Sequence, residues 1–189
     1  MLYRIGKILC TVILNCFFEL EIRGSDLLPK NDPFILASNH LSYLDPIVLG
    51  VVAPPALNYL AKEELFRNKF FGGLIKNVGA IPLERGKADI KAMRAVLNVL
   101  KKKPVVIFPQ GARSADFDKF KVGVGFLYRR SGAPIIVAKI RGTDKFLLKG
   151  SRFARRGKIR VVFDRVEGIS RKDAYEDIAR KVIGRIRSL

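Results

Sequence analysis

Tryptophan is absent from this chain of 189 residues, histidine occurs once and cysteine twice. One His and two Cys cannot supply the four ligands of a structural zinc site, so no metal is expected. Cys10 and Cys16 lie six positions apart, on different faces of a helix, which argues against a disulfide and for a reducing compartment. Acid is scarce: 17 Asp and Glu stand against 36 Lys and Arg, a net charge of +19. Such a surface favours anionic partners, whether nucleic acid, acidic lipid head groups or an acidic substrate and its carrier. Nucleic acid is disfavoured, because neither zinc-finger spacing nor a Gly-aromatic RNA-binding motif is present. The aromatic residues point the same way, with 13 Phe against 5 Tyr, a bias towards cores and lipid.

Long apolar runs are missing too. The run from Ile8 to Phe18, interrupted by Asn15, falls well short of the about twenty residues that span a bilayer. No small-x-small cleavage site comes after it, as a signal peptide would require. Residues 1–17 are read as an amphipathic helix lying in the membrane interface, with Arg4 and Lys7 near the head groups, the alternative being a helix packed on the domain core. No Pro/Gly/Ser linker or repeat divides the remainder of the chain, so residues 18–189 are expected to form one domain.

Within it, strands are expected at 19–22, 33–38, 57–61, 80–83, 105–108, 134–138 and 158–163. Helices are expected from Asp45, over 63–77, 88–102, within 120–130, and over 171–187. Val105-Val106-Ile107-Phe108 is apolar throughout, as a central strand buried on both faces must be. The alternation predicts an α/β fold in which helices cover a mixed, largely parallel central sheet. Over 63–77 the apolar positions include Phe66, Phe70 and Phe71. A stripe at this spacing fits core packing, and also a surface facing lipid or an acyl chain.

The single histidine sits in Ser38-Asn39-His40-Leu41-Ser42-Tyr43-Leu44-Asp45-Pro46. On one continuous helix, five residues would leave His40 and Asp45 roughly 140° apart. They meet if His40 lies in the turn leaving a strand and Asp45 caps the next helix, with Pro46 at its first position. A buried histidine beside an ordinary cap fits this stretch as well as a catalytic pair does.

Further motifs occur in order along the chain: Gly79-(five residues)-Arg85, then Phe108-Pro109-x-Gly111-x-Arg113-Ser114, then Ala133-Pro134-Ile135. With Asn39-His40-x-Ser42-x-x-Asp45 ahead of them, this pattern resembles the glycerophospholipid acyltransferase family, specifically the 1-acyl-glycerol-3-phosphate acyltransferases. The resemblance runs from about Gly24 to Lys139. It implies an enzyme of phospholipid biosynthesis on the cytoplasmic face of an anionic membrane. Such an enzyme moves a fatty acyl group from a thioester of coenzyme A or acyl carrier protein to the free hydroxyl of a lysophospholipid acceptor, 1-acyl-glycerol-3-phosphate, giving phosphatidate without a further cofactor. By position, His40 would be the general base and Asp45 its partner. Arg85, Arg113 and Gly111 would bind the acceptor phosphate. Asn39, Ser42, Gln110, Ser114 and Pro134 would support them. Glycerol-3-phosphate or another lysophospholipid is the rival acceptor, and a non-enzymatic basic membrane- or nucleic-acid-binding module the remote alternative. The chemistry agrees, since a hydroxyl attacks a thioester well only if its proton leaves as the bond forms. Ser42 is too close to His40 to serve as a nucleophile, which predicts direct transfer without an acyl-enzyme. Where the family usually reads Pro-Glu-Gly-Thr-Arg, this chain has Gln110 and Ala112, departures that bear on the acceptor more than on the reaction.

Overall fold

The computed structural model describes residues 2–84, 90–145 and 157–189. Strands β1 (Phe18–Arg23), β2 (Ile35–Ser38), β3 (Asn58–Lys62), β4 (Ala80–Leu83), β5 (Val105–Ile107), β6 (Ile135–Arg141) and β7 (Gly157–Arg165) form one sheet. The helices are α1 (Leu2–Phe17), α2 (Asp45–Val52), α3 (Lys69–Asn77), α4 (Ile90–Leu100), α5 (Gly123–Ser131) and α6 (Tyr175–Ser188). Strand order is β1-β7-β6-β2-β5-β3-β4. From β6 to β4 all neighbours are parallel. Strand β7 runs antiparallel to β6, and β1 lies parallel to β7. This is the mixed, largely parallel sheet the sequence pattern predicts. The carboxyl ends of five strands therefore open on one edge, where ligands collect in sheets of this kind.

Side-chain alternation along the central strands divides the core in two. Ile35, Ala37, Val105, Ile107, Ile135 and Val137 pack beneath α4, α5 and α6. Leu36, Val106, Ile136 and Ala138 face the other way, against Val48 and Leu49 of α2 and Leu14 of α1. Both faces of the sheet are covered, which is why the central strands read as unbroken apolar runs.

The segment 63–77 and strand β6 depart most from expectation. Residues 63–77 form a 3-10 turn, Glu63–Phe66, and then α3, not one helix. The amide of Arg67 closes that turn on Glu64, and α3 restarts where Gly72 donates to the carbonyl of Asn68. Apolar spacing is the same on either side of such a break, so periodicity does not reveal it. Nor is the aromatic stripe core: Phe70 is 87% exposed, Leu65 and Leu74 are exposed, and Phe66 is half-buried. The side chain of Phe71 lies outside the described residues. Strand β6 runs three residues further than predicted, because β7 pairs with it as far as Arg141↔Arg160.

Helix α1 packs on the domain along one face and leaves apolar residues exposed on the other. Leu14 is buried and the hydroxyl of Tyr3 accepts from the amide of Leu57, while Ile5, Ile8, Leu9, Val12 and Ile13 are exposed. Arg4 is exposed, but Lys7 turns inward. Its ammonium donates to the carbonyl of Ala53 at the end of α2, where the helix dipole attracts a cation, and burial lowers its pKa. Lys7 is therefore a packing residue rather than a head-group contact. Among the described residues, no helix is long and apolar enough to cross a membrane.

Candidate active site

Where β2 ends, Asn39 extends its pairing with β6 through a side chain. Its Nδ2 donates to the Ile140 carbonyl at 2.8 Å, and its Oδ1 accepts from the Ile140 amide at 2.7 Å. The main chain is thereby free to turn, and His40 emerges at the carboxyl edge of the sheet. Its amide donates to Gln110 Oε1 at 3.1 Å, and its carbonyl accepts from the Ser114 amide at 2.9 Å. His40 Nδ1 lies 2.8 Å from Asp45 Oδ2, and Phe108 stacks on the ring with centroids 4.1 Å apart.

Asp45 has no exposed surface, and every polar contact its carboxylate makes comes from a donor. Oδ2 also accepts from the amides of Leu41 at 2.6 Å and Ser42 at 2.7 Å, and Oδ1 accepts from Thr143 Oγ1 at 2.6 Å. An ionised carboxylate can only accept, so Nδ1 carries the proton and Nε2 keeps its lone pair. Asp45 is not the helix cap expected of it. Leu44 holds that position, its carbonyl receiving the Val48 amide at 2.8 Å, and Asp45 is the first residue of α2. The displacement comes from the carboxylate's reach backwards, to the loop amides rather than to those of the helix. Ser42 Oγ accepts from the Leu44 amide at 3.3 Å, so it fixes the turn.

The facing loop begins with a turn in which the Gly111 amide donates to the Phe108 carbonyl at 2.9 Å. Gly111 has φ +71°, a conformation that glycine enters without steric cost. Its own amide is thus engaged in shaping the turn. Gln110 is buried, and its Nε2 donates to the carbonyls of Ser114 at 2.7 Å and Asp116 at 3.0 Å. With Oε1 on His40, this amide braces the two loops together and points away from solvent. Ser114 Oγ caps the Asp116 amide at 3.0 Å. Arg113 is exposed; its Nη2 donates to the Tyr43 hydroxyl at 2.8 Å, and its guanidinium carbon lies 3.5 Å above that ring.

His40, Asp45, Asn39, Ser42, Gln110, Gly111, Arg113 and Ser114 therefore share one edge. Arg85 lies outside the described residues. Pro134 belongs elsewhere: its carbonyl accepts from the Ile35 amide at 2.9 Å, at the start of the parallel strands whose far ends carry the site. The intervening strand separates it from His40 by roughly 16 Å, so its part is to seat β2 against β6. Sequence reasoning missed Thr143, Phe108 and Tyr43. Thr143 comes after β6 without any motif, Phe108 reads as the end of a buried strand, and Tyr43 fills a variable position of its motif. A depression of about 500 Å³ lined by Arg129, Arg130, Arg171 and Tyr175 lies at the opposite edge and contributes nothing to this site.

The family model described as Acyltransferase matches residues 19–141. The 1-acyl-sn-glycerol-3-phosphate acyltransferase of Bacillus subtilis is 29% identical over 153 residues, 80% of this chain and 75% of that protein. The enzyme of the same name from Helicobacter pylori is 32% identical over 134 residues, 67% of this chain and 53% of its own length. The chain spans about half, 54%, of the chloroplastic relative from Brassica napus, at 27% identity. Among solved structures, the 1-acyl-sn-glycerophosphate acyltransferase PlsC from Thermotoga maritima covers 99% of this chain with a TM-score of 0.74. That alignment takes in 77% of the Thermotoga chain, and at 22% identity it carries the fold alone. The family model spans most of the chain, including the His40–Asp45 loop and the Arg113 loop: this chain belongs to the acyltransferase family.

Proposed function

We propose that this acyltransferase moves a fatty acyl group from a thioester of coenzyme A or acyl carrier protein to the free hydroxyl of 1-acyl-glycerol-3-phosphate, yielding phosphatidate. The observation that carries the mechanism is the His40 Nδ1–Asp45 Oδ2 contact of 2.8 Å, on a carboxylate otherwise saturated by donors. The acceptor hydroxyl attacks the thioester carbonyl carbon as Nε2 of His40 takes its proton. The C–S bond then breaks, and the departing thiolate recovers the proton from the imidazolium, which Asp45 stabilises meanwhile. A positioned base of this kind contributes about 10²- to 10⁴-fold. No nucleophile of the chain takes part, so the acyl group passes directly within a ternary complex. Arg113 supplies the fork of donors that a phosphate monoester binds. Gln110, the departure that bears on the acceptor, spends its side-chain amide on internal bonds to both loops, so it is not the group that meets the acceptor.

The enzyme works, on this reading, at the anionic cytoplasmic surface of a membrane. The apolar face of α1 runs to Phe17, beside the start of β1, whose Phe18 pairs with Gly157 near the carboxyl end of β6. Phe70 is exposed in the first turn of α3, which follows the carboxyl end of β3. Apolar surface thus flanks the site on two sides, and a net charge of +19 suits anionic lipid.

Purified protein, a labelled acyl thioester and a panel of acceptors, including glycerol-3-phosphate, provide the test. The wild type is expected to acylate 1-acyl-glycerol-3-phosphate, and His40→Ala to lose at least about 100-fold in kcat. Equal rates for the two proteins refute the mechanism.

A further inference from the structure

We infer that Tyr43 is a positioning residue that holds Arg113 ready for the acceptor phosphate at a set distance from His40. The inference rests on the proposed reading of Arg113. Tyr43 is 69% exposed, so burial does not account for its position. It touches Arg113 in two ways: the ring lies under the guanidinium at 3.5 Å, and the hydroxyl accepts from Nη2 at 2.8 Å. The stack fixes the plane of the guanidinium and the hydrogen bond fixes its rotation within that plane. Nε, Nη1 and the second N–H of Nη2 are left without a partner among the described residues, so Nη2 together with one neighbouring nitrogen can still present a fork to two phosphate oxygens. Fixing an unrestrained arginine costs rotamer entropy worth a factor of about 30 in affinity, part of which this contact removes in advance.

Position relative to the base is set by the loops themselves. Tyr43 is three residues beyond His40, and Arg113 directly precedes Ser114. The two loops are joined at His40 by the Gln110 Oε1 contact at 3.1 Å and the Ser114 amide at 2.9 Å. Tyr43–Arg113 is a further tie between them, the one nearest to solvent. Together these ties hold the guanidinium and the imidazole at one separation. A glycerol phosphate offers its phosphate and its reacting hydroxyl at a similarly restricted separation.

The test is steady-state kinetics on Tyr43→Phe, Tyr43→Leu, Arg113→Ala and the double variant, each checked for an unchanged Tm. Tyr43→Phe keeps the stack and loses the hydrogen bond, which is expected to raise KM for 1-acyl-glycerol-3-phosphate about 3- to 10-fold. Tyr43→Leu loses both contacts and is expected to raise it about 10- to 30-fold. KM for the thioester stays within about twofold, and so does turnover of 1-acylglycerol, an acceptor without phosphate. In the Arg113→Ala background, Tyr43→Leu adds less than about twofold, since there is no guanidinium left to hold. If Tyr43→Leu costs as much in that background as in the wild type, the inference is overturned. It is also overturned, with the role of Arg113 intact, if Arg113→Ala raises the acceptor KM and the Tyr43 variants do not. An Arg113→Ala variant with wild-type acceptor KM overturns the phosphate reading and this inference together.

Discussion

Thr143→Val removes one hydroxyl and keeps the shape of the side chain. In the native protein that hydroxyl is fully buried and donates to Asp45 Oδ1 at 2.6 Å, across 98 residues of sequence. Valine leaves Oδ1 of a buried carboxylate facing a methyl group. A hydrogen bond to a charged group contributes about 1.5–3 kcal/mol. At about 2–4 °C per kcal/mol for a chain of this size, Tm is expected to fall by about 3–12 °C. The effect on catalysis is smaller than removal of the carboxylate, because Oδ2 keeps its bonds to His40, Leu41 and Ser42. The carboxylate gains freedom to rotate about its remaining anchor. A loss of about 1.4 kcal/mol in orienting the imidazolium lowers kcat about tenfold, with little change in either KM. Thr143→Ser restores the donor, and with it kcat to within about threefold of wild type. Thermal unfolding and steady-state kinetics of the two variants decide the matter. A valine variant that melts within about 1 °C of wild type and turns over at the native rate would show that Asp45 needs no third element to hold it, refuting the reasoning.

Gln110→Met should destabilise the protein by about 2–4 kcal/mol in urea unfolding, because it leaves the His40 amide and the Ser114 and Asp116 carbonyls unpaired at once; an unchanged midpoint would dismiss Gln110 as a brace. Tyr59 has a buried hydroxyl with no hydrogen-bond partner among the described residues, and burial raises its pKa well above the ordinary value. Because the folded state holds that proton more tightly, its contribution to stability is full below about pH 10 and is lost as pH rises beyond it towards the folded pKa. Tyr59→Phe is therefore expected to hold or raise Tm by a few degrees at neutral pH and to flatten the alkaline decline above about pH 10, as pH-dependent melting would reveal. Replacing Ile8, Leu9 and Val12 with serine removes exposed apolar surface from α1 without touching Leu14. Sedimentation with anionic vesicles should show binding weakened at least about tenfold, and undiminished binding would assign α1 another partner.

The apolar runs of β2, β5 and β6 and the alternation of strands with amphipathic helices determined an α/β fold with helices on both faces. Short-range chemistry was legible as well, since a turn after β2 lets His40 and Asp45 meet where a helix would part them. Local pattern was silent where two structures share one period, as at the break between Glu63–Phe66 and α3. Motif position does not give local geometry either: the Gly111 amide closes a turn, and Pro134, read as structural, sits at the opposite edge of the sheet. The rest depended on strand order. Placing β2 between β5 and β6 brings Thr143 to Asp45 across 98 residues and Arg113 to Tyr43 across 70. Hydrophobic periodicity records which face of an element is buried but not which element lies beside it. The donors that saturate Asp45, and the ring that steadies Arg113, were therefore decided only when the sheet assembled.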